Sequence, residues 1–243
     1  MERTLAATRG YAELISRHDV AAIRFVATSA TRDAENRDVF IDGIRSILGG
    51  VVPEVISGEE EAELSFRGGA VSTIADLADG PRLVVDIGGG STELVLGELL
   101  PEARISTDMG SVRLTERHLR SDPPTAEEIA AAQADIDELL DEAFAAVPVE
   151  RTRALVGVAG TVTTITAVAQ GLETYERCHP WCEPRRRGVH QGLRAGARHE
   201  PSGARCAAGH PSGTHRRHRA GALIWARVLR RVSDAAGITT ERT

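Results

Sequence analysis

Lysine is absent from this chain of 243 residues: all 29 basic side chains are arginine. That absence excludes every mechanism that needs a primary amine, including a Walker-type P-loop lysine, a Schiff base and pyridoxal chemistry. Aromatic residues are scarce at 3%. Residues 1–11 lack the apolar centre of a secretory signal. The longest fairly apolar stretch, residues 155–172, is broken by Thr and Gly, which suits a buried strand and helix rather than a bilayer span. Three unevenly spaced cysteines, Cys178, Cys182 and Cys206, offer no disulfide framework, so a cytoplasmic location is expected. What is present is 42% hydrophobic residues, enough for the core of one large domain or two small ones.

Charge is unevenly placed. The net charge is −6, but residues 177–219 carry +8 and the rest −14. That tract holds 10 Arg, six of the eight His, all three Cys and only two acids, Glu183 and Glu200. Its only branched aliphatics are Val189 and Leu193, so it has no apolar face to dock and is expected to be poorly ordered. A zinc site at Cys178, His179, Cys182 and His190 with an Arg-rich nucleic-acid surface is one reading of it. The Cys/His spacing matches no finger pattern and Trp181 is the tract's single aromatic, so no nucleic-acid partner and no membrane partner are expected.

Periodicity predicts helix over residues 2–18 (Leu5, Tyr11, Leu14, Ile15), strand over 22–28, helix over 33–48, strand over 51–56, and a helix opening at Gly58 with Glu at its start. This αβαβα order is that of an α/β layer fold. Pro81 marks a boundary. Strands at 83–87 and 91–97 are joined by Gly88-Gly89-Gly90, too short a link for anything but an antiparallel hairpin. A strand at 103–109, a helix at 112–119, a long helix from the Thr125/Glu128 capping box to about residue 146, a strand at 154–158 and a helix at 162–171 follow. Order resumes at Ala220, where Leu223, Ile224, Val228, Leu229 and Val232 form a helical face. The expected domains are a first lobe over 1–80, a ribonuclease H-like second lobe over 81–176, the basic tract over 177–219 and a C-terminal helix over 220–243.

Four segments carry chemistry. In Asp86-Ile87-Gly88-Gly89-Gly90-Ser91-Thr92-Glu93, Gly lets backbone amides approach an anion, Ser91 and Thr92 can donate to phosphate oxygens, and Asp86 and Glu93 can hold Mg²⁺ directly or through water. The loop Gly157 to Thr163 leads a strand into a helix N-terminus, a ready anion site or simply a cap. Ser57-Gly58-Glu59-Glu60-Glu61-Ala62-Glu63 reads either as a solvated helix start or as the seat of a general base. In the segment Ala27 to Asp33, Arg32 either clamps a phosphate or pairs with a nearby acid such as Asp33.

Taken in order, ATSATRDAENRD, ISGEEEAELSFRG, VVDIGGGSTELVLG, MGSVRLTER and GVAGTVTTITA resemble the exopolyphosphatase / guanosine pentaphosphate phosphohydrolase family, a branch of the actin–Hsp70–sugar-kinase fold. The resemblance runs over residues 2–172 and returns at 220–236. It implies a two-lobed α/β fold and Mg²⁺-dependent hydrolysis of a terminal phosphoanhydride of polyphosphate or guanosine pentaphosphate, with a homodimer as the assembly. It further implies Glu61 as the base that activates water and Arg32 as the residue that orients phosphate. Gly88, Gly89, Gly90, Ser91 and Thr92 would form a phosphate cradle with Asp86 and Glu93 at the metal, and Gly157, Gly160 and Thr161 would form a second phosphate loop.

Two departures accompany it. The family's opening strand–turn–strand, with its Asp-x-Gly-x-Asn/Ser motif, has no counterpart here, so an incomplete first lobe and weak or absent activity are expected. Read with a one-base shift, the codons for residues 215–219 permit Ile-Asp-Val-Ile-Gly, similar to the family segment before Ala-Gly-Ala-Leu, and segments at 178–181 and 199–202 behave likewise. Arginine without lysine signals GC-rich codons, under which a shifted frame spells Arg, His, Pro and Cys. The tract is therefore expected to be frame-shifted. The alternatives are a non-catalytic phosphate or alarmone binder and an ATPase or kinase of the wider superfold; the Ser-Gly-Glu-Glu-Glu-Ala element argues against a kinase.

Overall fold

The computed structural model describes residues 1–72, 80–169 and 213–236. The zinc reading at Cys178, His179, Cys182 and His190 lies outside the described residues, as does most of the tract read as frame-shifted. The chain divides into two compact units, Met1–Glu61 and Ala62–Thr243, rather than at the proline expected to separate them. The reason lies in helix α4 (Gly58–Ser72). Its Ala62 and Phe66 are buried with Val84 and Val95 of the following sheet, so all but the helix's first turn belongs with that sheet.

In the first unit, α1 (Glu2–Ile15), β1 (Val26–Ala27), α2 (Ser29–Arg32), α3 (Arg37–Ile47) and β2 (Glu54–Val55) follow in order. β1 and β2 pair in parallel, Val26 with Glu54 and Ala27 with Val55. The strands expected at 22–28 and 51–56 thus shrink to two residues each. They pair with one another alone, and no third strand among the described residues extends the ladder. α1 buries only part of its expected apolar face, Leu5 and Ile15 being half-buried. Thr8 is buried and Leu5 packs on Gly43 of α3, whereas Tyr11 and Leu14 are exposed. Ile44 is the fully buried centre of this small core.

The second unit is built on a four-stranded sheet of β3 (Arg82–Ile87), β4 (Thr92–Gly97), β5 (Pro101–Thr107) and β6 (Ala154–Val158). The strand order is β5-β4-β3-β6. The first three strands form an antiparallel meander, and β6 runs parallel to β3. Helices α5 (Ser111–His118), α6 (Ala126–Ala146), α7 (Ala159–Ala169) and α8 (Gly213–Ala236) complete it. Strand alternation sorts side chains between two layers. Leu83, Val85, Ile87, Leu94 and Leu96 enter the main core with residues of α5, α6 and α8. Val84 and Val95 face α4 on the other side.

Local signals account for the helix ends. The Thr125 hydroxyl accepts from the Glu128 amide, and the Glu128 carboxylate accepts from the Thr125 amide, which is the expected reciprocal cap. α8 begins at Gly213, inside the tract read as poorly ordered and ahead of the expected Ala220. Its buried stripe is Ala220, Ile224, Trp225, Val228 and Val232. Arg227 and Arg231 tie it to Asp137 and Asp141 of α6, and the Arg231 guanidinium lies 5.0 Å from the Phe144 ring centre. Ahead of Ala220, Arg219 pairs with Asp122 at 2.8 Å, a tie that the apolar count of that segment does not reveal.

Candidate active site

The glycine link between β3 and β4 is a hairpin, as its length requires. Its conformation is imposed by α5. The Ser111 amide donates to the Gly88 carbonyl (3.0 Å), and the amides of Val112 and Arg113 donate to the Gly89 carbonyl (2.8 and 3.1 Å). The Ser111 hydroxyl also donates to Gly88 O (3.1 Å), and Arg113 Nε donates to Gly90 O (2.8 Å). The N-terminal donors of α5 are therefore consumed by loop carbonyls rather than offered to an anion. Among the described residues no backbone carbonyl takes the Gly89 or Gly90 amide.

Gly110, just before α5, makes this arrangement possible. A Cβ there would sit 2.2 Å from Gly89 O and 2.4 Å from Gly90 C. Its φ of −117° suits any residue, so close backbone approach, not backbone conformation, demands glycine.

The residues around the loop have sharply different surroundings. Ser91 and Thr92 are buried. The Thr92 hydroxyl donates to the Met109 carbonyl and thereby pins the start of β4. Asp86 and Glu93 are cross-strand partners on the α4 face, which puts their Cβ atoms about 5 Å apart. Ser65 of α4 donates to Asp86 Oδ2 at 2.5 Å, and Ser106 of β5 donates to Glu93 Oε1 at 2.7 Å. Glu93 is buried, whereas Asp86 is partly open.

Adjacent like charges on a sheet repel, and the two hydroxyl donors offset part of that repulsion. No three His, Cys, Asp or Glu side chains among the described residues converge as a cage for a metal. A pair of hard carboxylates, one of them solvent-accessible, is nonetheless the donor set that suits Mg²⁺, which takes one or two carboxylates and keeps waters. The chemistry of the Asp86 and Glu93 pair is compatible with that ion, Asp86 being the partly accessible member.

The second loop differs from the sequence expectation in one respect. Gly157 lies inside β6, where a Cβ would come within 2.7 Å of the Trp225 ring of α8 and 2.9 Å of Val162. Its role is close packing under the turn. The turn is made by Ala159, a non-glycine residue at φ 71°, in the left-handed region. α7 starts there, earlier than expected. Gly160 faces open space, with nothing within 4 Å of a would-be Cβ, and Thr161 is almost wholly buried against Gly221 of α8.

Both loops border one cavity of about 280 Å³. Gly88 and Gly89 come from the first loop, Gly160 and Thr161 from the second, and Arg217 and His218 from α8. Ser111, Arg217 and His218 carry no role in the sequence reading. Ser111 lies within the recognisable MGSVRLTER segment, but the two basic residues lie in the tract set aside as frame-shifted.

Arg32 and Glu61 belong to the first unit and are brought together there. Arg32 Nη1 donates to the Ile56 carbonyl at 2.7 Å and lies 3.7 Å from Glu61 Oε2. The acid beside Arg32 is thus Glu61, while Asp33 accepts from Ser29 Oγ at 3.4 Å. The other end of the acid cluster is anchored by Arg24, which bridges Glu54 (2.7 Å) and Glu60 (2.9 Å). Hydrogen bonding from Arg24 holds the Glu54 carboxyl below its ordinary value. Only part of the Glu-rich helix start is therefore simple solvated surface.

A three-stranded meander continued by a parallel strand, with helices on both faces and glycine-marked turns at the strand ends, is the α/β ribonuclease H-like unit of the actin–Hsp70–sugar-kinase fold class. The chain belongs to the Ppx/GppA phosphatase family, whose sequence model matches residues 1–185. It is 51% identical over 178 residues to Exopolyphosphatase 2 of Mycobacterium tuberculosis, a match covering 72% of this chain and 55% of that protein. It is 35% identical over 182 residues to a bifunctional 3-dehydroquinate synthase/phosphatase of Fusobacterium nucleatum, over 72% of this chain and 27% of that one. The chain thus spans about half the length of the Mycobacterium tuberculosis relative. Among solved structures, an exopolyphosphatase-like protein superposes with a TM-score of 0.86 at 45% identity, over 97% of this chain and 75% of the other. An Aquifex aeolicus Ppx/GppA family member at 23% identity superposes with a TM-score of 0.68, over 97% and 74%, a likeness of fold.

Proposed function

We propose that this chain carries the machinery for hydrolysing the terminal phosphoanhydride of inorganic polyphosphate, with Glu61 as general base. The observation that carries the reading is the cavity bordered by both glycine-marked turns. Among the described residues no acidic side chain lines it; Ile87 and Ala159 share its walls with the backbone of Gly88, Gly89 and Gly160, the hydroxyl-bearing Ser111 and Thr161 and the basic Arg217 and His218, and these polar groups suit phosphate oxygens. Polyphosphate is taken as the substrate on the likeness to Exopolyphosphatase 2 of Mycobacterium tuberculosis.

In this mechanism the amides of Gly89 and Gly90 bind bridging and terminal phosphate oxygens, and Gly160 leaves room for the backbone of α7 to approach them. Glu61 accepts the proton of the attacking water, and Arg32, 3.7 Å from its Oε2, keeps that carboxylate oriented. The terminal phosphorus–bridging oxygen bond breaks, releasing orthophosphate and a chain shorter by one unit. Mg²⁺ held by Asp86, with Glu93 supporting it, would neutralise charge on the phosphate chain. The resemblance to exopolyphosphatases also supports a homodimer and a cytoplasmic location, checked by light scattering and by fractionation. No helix among the described residues is long and apolar enough to cross a membrane.

The test is orthophosphate release from polyphosphate, guanosine pentaphosphate and ATP, each with and without Mg²⁺. Release from polyphosphate that needs Mg²⁺ and falls at least about 100-fold in Glu61→Gln supports the proposal. Turnover of ATP in preference to polyphosphate sinks it in favour of an ATPase. Binding of polyphosphate with no release identifies a non-catalytic binder instead.

A further inference from the structure

We propose that Arg217 is a phosphate-binding residue of the cavity between the two loops, adding a guanidinium contact to the backbone donors already there. The inference rests on the polyphosphate reading of that cavity and concerns a residue in the tract that sequence reasoning set aside.

The placement follows from helix geometry. Residues four apart share a helix face, so 217, 221 and 225 form one stripe along α8. Gly221 packs against Thr161 and Trp225 packs against Gly157, which fixes that stripe along the β6–α7 turn. Arg217 is the next residue up the stripe. Side chains on a helix tilt toward its N-terminus, and Arg217 accordingly lines the cavity with Gly88, Gly89 and Gly160.

The other basic residues nearby are already engaged. Arg219 pairs with Asp122 at 2.8 Å, Arg227 with Asp137, and Arg231 with Asp141 at 2.5 Å. Arg217 alone among these four faces a concavity that, among the described residues, has no acid on its walls and whose first loop has a Gly89 amide that no backbone carbonyl takes. A permanently charged planar fork in that setting is matched to phosphate oxygens. His218 lines the same wall.

Binding of medium-chain polyphosphate to the full chain, measured by calorimetry, tests this. Arg217→Ala and Arg217→Gln weaken binding about tenfold or more, the loss of one charge-assisted contact. Arg217→Lys keeps the charge and falls between. Arg230→Ala removes one exposed charge from the same helix away from the cavity and leaves binding unchanged. In the unmutated chain, polyphosphate protects Arg217 from phenylglyoxal while Arg230 stays reactive, a readout independent of how the variants fold. Wild-type affinity in Arg217→Ala, an equal loss in Arg230→Ala, or absent protection overturns the proposal with the cavity reading intact. No polyphosphate binding by the wild-type chain overturns the cavity reading itself, and this inference with it.

Discussion

The sharpest physical prediction concerns Gly110→Ala. A Cβ at this position falls 2.2 Å from Gly89 O and within 2.4 Å of two backbone carbons. The obstructing atoms are backbone, so no side chain can swing aside. A carbon–oxygen contact needs roughly 3 Å or more, so the loop must move by about 1 Å. That shift strains the three amide bonds from α5 to the Gly88 and Gly89 carbonyls. Overpacking costs about 1–3 kcal/mol, and weakening two of those three hydrogen bonds adds about 1 kcal/mol each. A total near 3–5 kcal/mol is a large fraction of the stability of an ordinary domain and corresponds to a fall in Tm of about 10 °C or more. Urea unfolding measures the loss directly. Polyphosphate binding measures the second consequence, since the displaced Gly89 amide weakens the cradle. Gly160→Ala is the control: its Cβ meets nothing within 4 Å and it lies in a helix, so folding stability holds or rises by about 0.5 kcal/mol. If Gly110→Ala unfolds within about 0.5 kcal/mol of wild type, the loop is not held by close packing against α5 and the account of its rigidity is wrong.

Further outcomes follow from other parts of the fold. Thr125→Ala removes the hydroxyl of the α6 capping box and lowers stability by about 1 kcal/mol, read by chemical denaturation; Glu128→Ala in the same background adds less than its own single loss, because the two act as one cap. Asp135 is pushed upward by burial, but hydrogen bonds from His118 and Arg117 and their charges outweigh it and hold the carboxyl below its ordinary value of 3.8. Its folded value lies below its unfolded value, so its contribution is present above about pH 4 and is lost as pH falls through the folded value. The stability gap between wild type and Asp135→Asn is therefore constant from pH 6 to about pH 5 and closes below about pH 4 in acid-titrated unfolding. A gap that widens toward low pH contradicts the pairing.

Elements set by neighbouring residues were legible without the fold. A three-glycine link permits only a tight turn, so the β3–β4 hairpin could be read directly, and its observed register pairs Ile87 with Thr92. The Thr125 and Glu128 spacing announced a reciprocal cap. The apolar run 154–158 became β6 with the expected ends. The first unit was less legible, because strand length depends on a partner. Apolar runs at 22–28 and 51–56 show β propensity but not how many residues will pair, and here only two in each do.

The sequence by itself determined the order of the elements, the family to which the chain belongs and the identity of the two glycine-marked turns, since each rests on short-range spacing or on motifs read in succession. Only tertiary structure decided what those residues do. It gave Thr92 to the Met109 carbonyl, sealed Glu93 beneath Ser106 while leaving Asp86 open, and put Gly157 under Trp225 instead of in a loop. It also made Gly110 the partner of Gly89 and carried Arg217 to the cavity from more than 120 residues away in sequence. Such pairings depend on which helix closes over which strand end. That choice is made by packing between distant segments, and no local pattern of residues encodes it.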